Sequence, residues 1–269
     1  MMPSRTFTLL GTGSSGGVPR VGNQWGDCDP SHPRNRRRRC ALLVEQRSAS
    51  GEVTSVLIDA GADLREQLLA SDVRSLDGVL LTHAHADHIF GLDDLRQLAL
   101  LIRRPIDVHM DEATSSIVMA AFGYCFRQAP GSSYPPFCIE RRIVHPEPFG
   151  IDGPGGHVPV RTLLADHGDI HAFGFRVGDV VYLPDAKRVV DEASLEALAG
   201  VDVLIVDALR RHPHPAHMSV DEALAFVECV APRRAILTNL HSDLDYATLA
   251  AELPDGVEVG HDGLVIEPG

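Results

Sequence analysis

The chain has 269 residues, 44% of them hydrophobic, which is enough for a sizeable core and is the length of one large α/β domain. Its formal net charge of −13 argues against a long, sequence-independent nucleic-acid surface, which needs many Lys and Arg contacts. No apolar run approaches the roughly eighteen residues that span a bilayer, and the opening MMPSRTFTLLGTG is too short in its apolar part for a secretory signal, so one cytoplasmic domain over 1–269 is expected.

TFTLLG begins the chain as a strand and runs into GTGSSGG, 11–17. That loop lacks the Gly-Lys-Ser/Thr of a Walker A motif and fits no GxGxxG register, so it reads as a tight turn at a site rim, with Ser14 or Ser15 as a donor to substrate. RNRRRRC, 34–40, is either a solvated loop or a phosphate clamp, because guanidinium matches phosphate oxygens bidentately. Arg39 stands as the candidate contact, with the choice among Arg36 to Arg39 open. Cys28, Cys40, Cys125, Cys138 and Cys229 form no CxxC pair and read as reduced thiols; Cys28 and Cys40, flanking the arginine run, read as buried structural thiols, with metal binding as the alternative.

Further strands follow in CALLVE, SVLIDAG, GVLLTH, IDVHM, HVPVRTLLADHG, FGFRVGDVVYLPDA, VDVLIVDAL, RRAILTNLHS and GLVIEPG, each bounded by Gly, Pro or Asp. Helices are expected in ADLREQLLAS, in LDDLRQLALLIRR with acids first and bases last, in SVDEALAFVECV and in DYATLAAEL. Ser219, three residues before Glu222, makes a capping-box pattern. About ten strands with interspersed helices fit two mixed sheets between helices, the runs at 158–166 and 173–183 being neighbours; a doubly wound sheet stands close behind.

HAHADH, 83–88, crowds His83, His85, Asp87 and His88 at a strand end. Imidazole nitrogens and carboxylate oxygens suit zinc, manganese and iron. In an extended segment His83 and His85 project to one side and can grip one ion; Asp87 and His88 follow the turn and face a neighbouring ion. Capping a helix there needs one Asp, not three histidines as well. Other apolar runs end in His167, Asp185 and His241, and the full set of five histidines and two aspartates suffices for two metals with a bridging carboxylate. His32, His109, His145, His157, His171 and His261 read as surface or satisfied core positions, His212 and His214 as loop.

The order HxHxDH, His, Asp, His resembles that of the metallo-β-lactamase superfamily of hydrolases, and LIDAG with Asp59 looks like its first motif. The resemblance implies a four-layer αββα sandwich with the metals in a groove at one edge of the sheets. It implies His83, His85 and His167 for one divalent ion, Asp87, His88 and His241 for the second, and Asp185 bridging. LLGTGSSGGVPRVG, the arginine loop, HPAHMSVDEAL and TNLHSDLDY are similar to phosphoribosyl 1,2-cyclic phosphate phosphodiesterases and to the broader group around tRNA 3′-processing endonucleases. That likeness implies that His217 touches the scissile phosphate and helps the leaving oxygen depart, with Asp87 orienting the nucleophile. It also implies a structural zinc on cysteines near the N-terminal loop, where VGNQWGDCDP keeps only Cys28.

The expected protein is a dinuclear phosphodiesterase, using Zn or Mn and a bridging hydroxide on a small cyclic ribose phosphate or nucleotide. The alternatives are an acyl hydrolase of thioesters or lactams, an RNA 3′-processing endonuclease, and a non-catalytic metal carrier. Its partner is a small phosphodiester, neither membrane nor nucleic acid; the oligomeric state stays open, a homodimer being allowed.

Overall fold

Ala41 and Leu43 pack to one side of their strand, Leu42 and Val44 to the other, and all four are buried. A strand apolar on both faces belongs to a sheet covered on both faces. The computed structural model describes residues 4–128 and 130–268. Its first half holds β1 (Ser4–Gly11), β2 (Ala41–Arg47), β3 (Val53–Ile58), α1 (Leu64–Ala70), β4 (Gly78–Leu80), α2 (Ala86–Ile89), α3 (Leu95–Ile102), β5 (Ile106–Met110), α4 (Glu112–Phe126) and β6 (Cys138–Arg142). Then follow β7 (Phe149–Ile151), β8 (Val158–His167), β9 (Ile170–Val177), β10 (Val180–Leu183), β11 (Arg188–Val189), α5 (Glu192–Leu198), β12 (Val203–Asp207) and α6 (Val220–Val230). The chain ends in β13 (Arg234–Thr238), α7 (Tyr246–Glu252), β14 (Val257–Val259) and β15 (Val265–Ile266).

One sheet of seven strands runs β15-β1-β2-β3-β4-β5-β6; a second of eight runs β11-β8-β9-β10-β12-β13-β14, with β7 also on β8. In each, an antiparallel part adjoins a parallel part: β3 to β6 in the first sheet, β10 to β14 in the second. Three apolar layers separate the elements. Leu64, Leu95 and Val118 of the helices cover Leu57, Val79 and Val108 of the first sheet. Phe7, Leu42, Val56 and Ile58 meet Val160, Phe173, Phe175 and Tyr182 between the sheets. Leu198, Val220 and Leu249 cover Val181, Leu204 and Val206 of the second. This is the αββα sandwich; both sheets have helices on one face only, which excludes a doubly wound sheet.

The run 173–186 is not one strand but the hairpin β9–β10, antiparallel through Val177 and Val180. β8 and β9 pair antiparallel as expected, from Arg161 with Arg176 to His167 with Ile170. Ser219 forms its capping box with Glu222, and Asp245 caps α7 through the Thr248 N–H. α4 and α5 lie where no helix was expected. In α4 the apolar residues from Ile117 to Phe122 are consecutive, so no 3.6-residue period shows, and Phe122 breaks the helical dihedrals. Among the described residues no helix is long and apolar enough to cross a membrane.

Parallel strands deliver their C-terminal ends to one edge. Asp59 follows β3, Leu81 to His83 follow β4, Asp185 follows β10, Asp207 ends β12, and Asn239 and His241 follow β13. β8 runs the same way as β10 and ends at His167.

His109 on β5 stacks on Phe149 with ring centroids 5.3 Å apart. Burial pushes its pKa down to about 4, with Arg141 adding to the effect and Asp107 opposing it. The fold therefore holds a neutral ring, while the unfolded chain takes up a proton near pH 6.5. Stability is fully present above pH 6.5 and falls as the pH drops from there towards about 4. Urea unfolding at about pH 7.5 and about pH 4.5 should show a loss of stability that His109→Gln reduces by about 1–3 kcal/mol. Equal losses in the two proteins would remove His109 as its source.

Candidate metal centre

Asp59 opens the site from beneath. It adopts a left-handed backbone conformation, φ 66°, a region that Asp and Asn tolerate better than most residues. The turn aims its carboxylate inward with no solvent exposure. The Thr82 N–H and hydroxyl donate to it at 2.9 and 3.0 Å, and His88 Nδ1 lies 2.7 Å away. Two residues on, Gly61 admits the backbone of Asp87: an added Cβ would sit 1.9 Å from the Asp87 carbonyl oxygen. Asp59 and Gly61 of LIDAG thus seat both the imidazole and the backbone of the histidine motif.

The ring nitrogens are held so that one of each faces inward. Thr82 Oγ1, donating to Asp59, accepts from His83 Nδ1 at 2.9 Å, which leaves the lone pair on His83 Nε2. His167 Nδ1 donates to the Ala216 carbonyl at 3.0 Å, leaving Nε2 free. His83 Nε2 and His85 Nδ1 stand 2.9 Å apart, and His85 Nδ1 and His167 Nε2 3.2 Å. His88 Nε2 lies 3.3 Å from Asp87 Oδ2 and 3.2 Å from Asp185 Oδ2. One ligand atom each from His83, His85 and His167 falls within 4.8 Å of the others, and the same holds for His83, His88 and Asp185.

These residues fit divalent cations. Three imidazole lone pairs converge where one proton can serve at most one contact. Asp185 Oδ2 is buried and receives no aligned hydrogen bond among the described residues. Burial, with neighbouring His88, His167 and His85, holds His83 well below the usual histidine range, and burial lowers His167 as well, so both keep the neutral form that binds metal. Burial would raise Asp87, but the charge and hydrogen bond of His88 outweigh it and bring the carboxyl to about 2. Burial would lower His88, yet Asp59, Asp185 and Asp87 lift it well above its ordinary value: the pocket demands positive charge at that point.

A cavity of about 510 Å³ opens over this cluster. His85, Asp87, His167, Asp185, His217 and His241 line it, as does Ser14, whose buried hydroxyl has no partner among the described residues. His241 Nδ1 pairs with Asp243 at 2.8 Å, which leaves Nε2 available to an ion. His217 Nδ1 is held at 2.7 Å by Asp207, and Asn239 Nδ2 donates to both Asp185 and Asp207 at 3.2 Å. Arg39 does not line this cavity but the neighbouring one of about 820 Å³; Asp63 holds its guanidinium at 2.8 Å and its Nε donates to the Ser15 carbonyl at 3.1 Å. His214, taken as plain loop, does line it. Cys28 and Cys40 are buried and join none of the ligand groups found among the described residues.

Sequence reasoning passed over Asp207, Asn239 and Arg20, all at the site, while Arg210, one of the two arginines at 210–211 that interrupt the acidic composition, lines the cavity. Asp207 ends an apolar run by the same rule that picked out Asp185; Asn239 and Arg20 carry no comparable signal.

A family model described as a β-lactamase superfamily domain matches residues 54–239, which takes in the site residues from Asp59 to Asn239. The octanoyltransferase of Porphyromonas gingivalis is 31% identical over 260 residues, covering 95% of this chain and 50% of that protein. The ribonuclease Z of a Bradyrhizobium species is 30% identical over 201 residues, covering 73% of this chain and 56% of that protein. The chain spans about half the length of these curated relatives. A crystal structure of a diphosphatase from the PhnP family superposes with a TM-score of 0.84 at 32% identity, over 98% of this chain and 97% of that one.

Asp59→Asn keeps a residue that tolerates the left-handed corner but removes the charge facing His88. It should weaken binding of the metal held through His88 by about 10–100-fold while leaving the fold intact. Chelator competition followed by metal analysis measures the change; unaltered metal retention would show that Asp59 is only a structural corner.

Proposed function

The chain belongs to the metallo-β-lactamase superfamily of hydrolases, and from that premise we propose a two-metal phosphodiesterase acting on a small cyclic ribose phosphate or nucleotide. The observation that carries this reading is His217. Its ring is fixed by a fully buried carboxylate and opens onto the cavity beside Asp185, where a substrate's leaving oxygen would lie. A thioester or lactam would not need a second, protonated imidazole there. The similarity to a PhnP-family diphosphatase over almost the whole of both chains supports chemistry at phosphorus. Ribonuclease Z likeness supports the same bond type on RNA, against which stands the net charge of −13.

His83, His85 and His167 would hold one ion, Asp87, His88 and His241 the other, with Asp185 between them. When bound, two divalent cations, zinc or manganese, supply Lewis-acid stabilisation of the phosphoryl oxygens and a water acidic enough to attack near neutral pH. Asp87, ionised, accepts a hydrogen bond from the attacking water and aligns it. His217 gives a proton to the departing oxygen. Burial would lower the His217 pKa, but the hydrogen bond and charge of Asp207, then Asp185, outweigh it and leave it above the ordinary value. Burial lifts Asp207 to about 7 against the pull of His217, so the two hold one proton between them. Asn239 fixes both carboxylates, and the Ser14 hydroxyl is free to donate to a non-bridging oxygen.

Bis(p-nitrophenyl) phosphate should be hydrolysed, the activity abolished by chelator and restored by Zn or Mn. His217→Ala should lower kcat about 10²–10⁴-fold on a 2′,3′-cyclic nucleotide, whose alkoxide leaves poorly, and much less on the p-nitrophenyl ester. An equal loss on both substrates would rule out His217 as the proton donor. Cleavage of a thioester or precursor tRNA by metal-loaded protein that leaves small phosphodiesters untouched would replace the proposal.

A further inference from the structure

One wall of the metal cavity is the loop 210–217, and it brings two imidazoles to the cavity, His217 and His214. The Leu209 N–H donates to the Met218 carbonyl at 2.9 Å, so the loop closes on itself at its base. Arg210 braces it from within: its Nε donates to the His212 carbonyl at 3.1 Å and its Nη2 to the Pro213 carbonyl at 2.9 Å. Pro213 and Pro215 restrict the backbone on both sides of His214. The half-buried ring of His214 is thereby held with its centroid 5.0 Å from that of His217.

Ala216 sets the protons of this wall. Its carbonyl accepts from His167 Nδ1 at 3.0 Å, and its N–H donates to His214 Nδ1 at 3.2 Å. One residue's two backbone groups thus impose opposite tautomers on two histidines. His167 keeps its lone pair at Nε2, whereas His214 keeps its lone pair at Nδ1 and its hydrogen at Nε2. That Nε2–H meets no acceptor among the described residues, and the ring lines the cavity. Burial, then the charges of His217 and Arg210, hold His214 below the ordinary histidine value, which keeps the ring neutral at pH 7. What stands behind each ring separates the two roles: a buried carboxylate behind His217 favours imidazolium, while an N–H behind His214 opposes it. Closing the turn takes only an acceptor, which a shorter Asn or Asp supplies. The imidazole adds a fixed N–H donor beside the proposed acid.

We propose that His214 is a specificity residue of this site: its Nε2–H donates to an oxygen of the sugar on the leaving side of the scissile bond, so that a ribose is preferred there over a plain alkyl or aryl group. Its place beside His217, which faces the leaving oxygen, sets the side. Which bond breaks next to it rests on the phosphodiesterase reading; the donor does not.

Uridine 2′,3′-cyclic phosphate and ethylene phosphate share the same cyclic phosphodiester, and only the first carries a furanose. In His214→Asn the new carbonyl oxygen still accepts the Ala216 N–H, so the turn survives while the Nε2 donor is lost. For the metal-loaded full chain, the ratio of kcat/KM on the uridine ester to that on ethylene phosphate should fall about five- to tenfold in the variant, the loss lying in KM. An unchanged ratio, or one lost through kcat, overturns the assignment. Calorimetric titration with uridine 3′-monophosphate and with 2-hydroxyethyl phosphate reads the same contact without turnover. His214→Asn should weaken the nucleotide about five- to tenfold relative to the simple phosphate. If neither cyclic ester is cleaved, the phosphodiesterase reading falls and the titration alone decides. A selective loss of nucleotide affinity then upholds the donor; a parallel loss, no loss or no nucleotide binding overturns it.

Discussion

A carboxylate with no exposure to solvent, Asp59, is the anchor between the first sheet and the metal centre. An ionised group in such a place costs several kcal/mol unless its lone pairs are satisfied. Asp59 meets that demand with the Thr82 N–H, the Thr82 hydroxyl and His88. In doing so it locks the ends of β3 and β4 together and fixes which nitrogen of His88 faces Asp87 and Asp185. The Thr82 hydroxyl transmits the same constraint to His83. Two of the candidate ligand histidines are thus oriented by one acid outside the candidate ligand groups, and the left-handed corner at Asp59 places it there.

The second sheet repeats the device with a different outcome. Asp207, at the end of parallel strand β12, accepts the Ala186 N–H at 3.0 Å and holds His217 Nδ1 at 2.7 Å, as Asp59 holds His88. His88 looks onto two further carboxylates, Asp87 and Asp185, and is a candidate ligand. His217 looks onto the cavity, with Asp185 at 3.7 Å from its bonded nitrogen, and is the proposed proton donor. One structural unit, an aspartate at a strand end gripping an imidazole, orients a ligand in one sheet and the proposed acid in the other. Asn239 couples the two functions, since its amide reaches both Asp185 and Asp207.

What the sequence makes legible follows from how local the physics is. HAHADH stands out because four ligand residues are contiguous, and His167, Asp185 and His241 because each ends an apolar run whose strand character is visible. Two sheets between helices follow from the strand count and the neighbouring runs at 158–166 and 173–183, while the four-layer sandwich was implied by the resemblance of the histidine and aspartate order. The surroundings of Arg39 were illegible because a sequence displays a charge but not its partner: Asp63 sits 24 residues away and pairs with it. Asn239 and Arg20 are illegible for the complementary reason, since their roles depend on neighbours from other strands and loops. α4 escaped because its consecutive apolar residues hide the helical period. The hairpin at 173–183 was blurred because Gly178 turns the chain within a stretch rich in strand formers on both sides.

The same locality governs selection among phosphates. Charges on a protein surface are screened beyond about 8 Å at physiological ionic strength. A small anion in the metal cavity would therefore sense Arg20 and Arg210 of its lining rather than the chain's overall excess of acid. A long polyanion would also meet the chain at large, in which 37 acidic residues outnumber 24 basic ones, and such a balance weakens the counterion release that drives polynucleotide binding. On the proposed reading, small phosphodiesters would therefore be favoured over extended RNA without a steric gate.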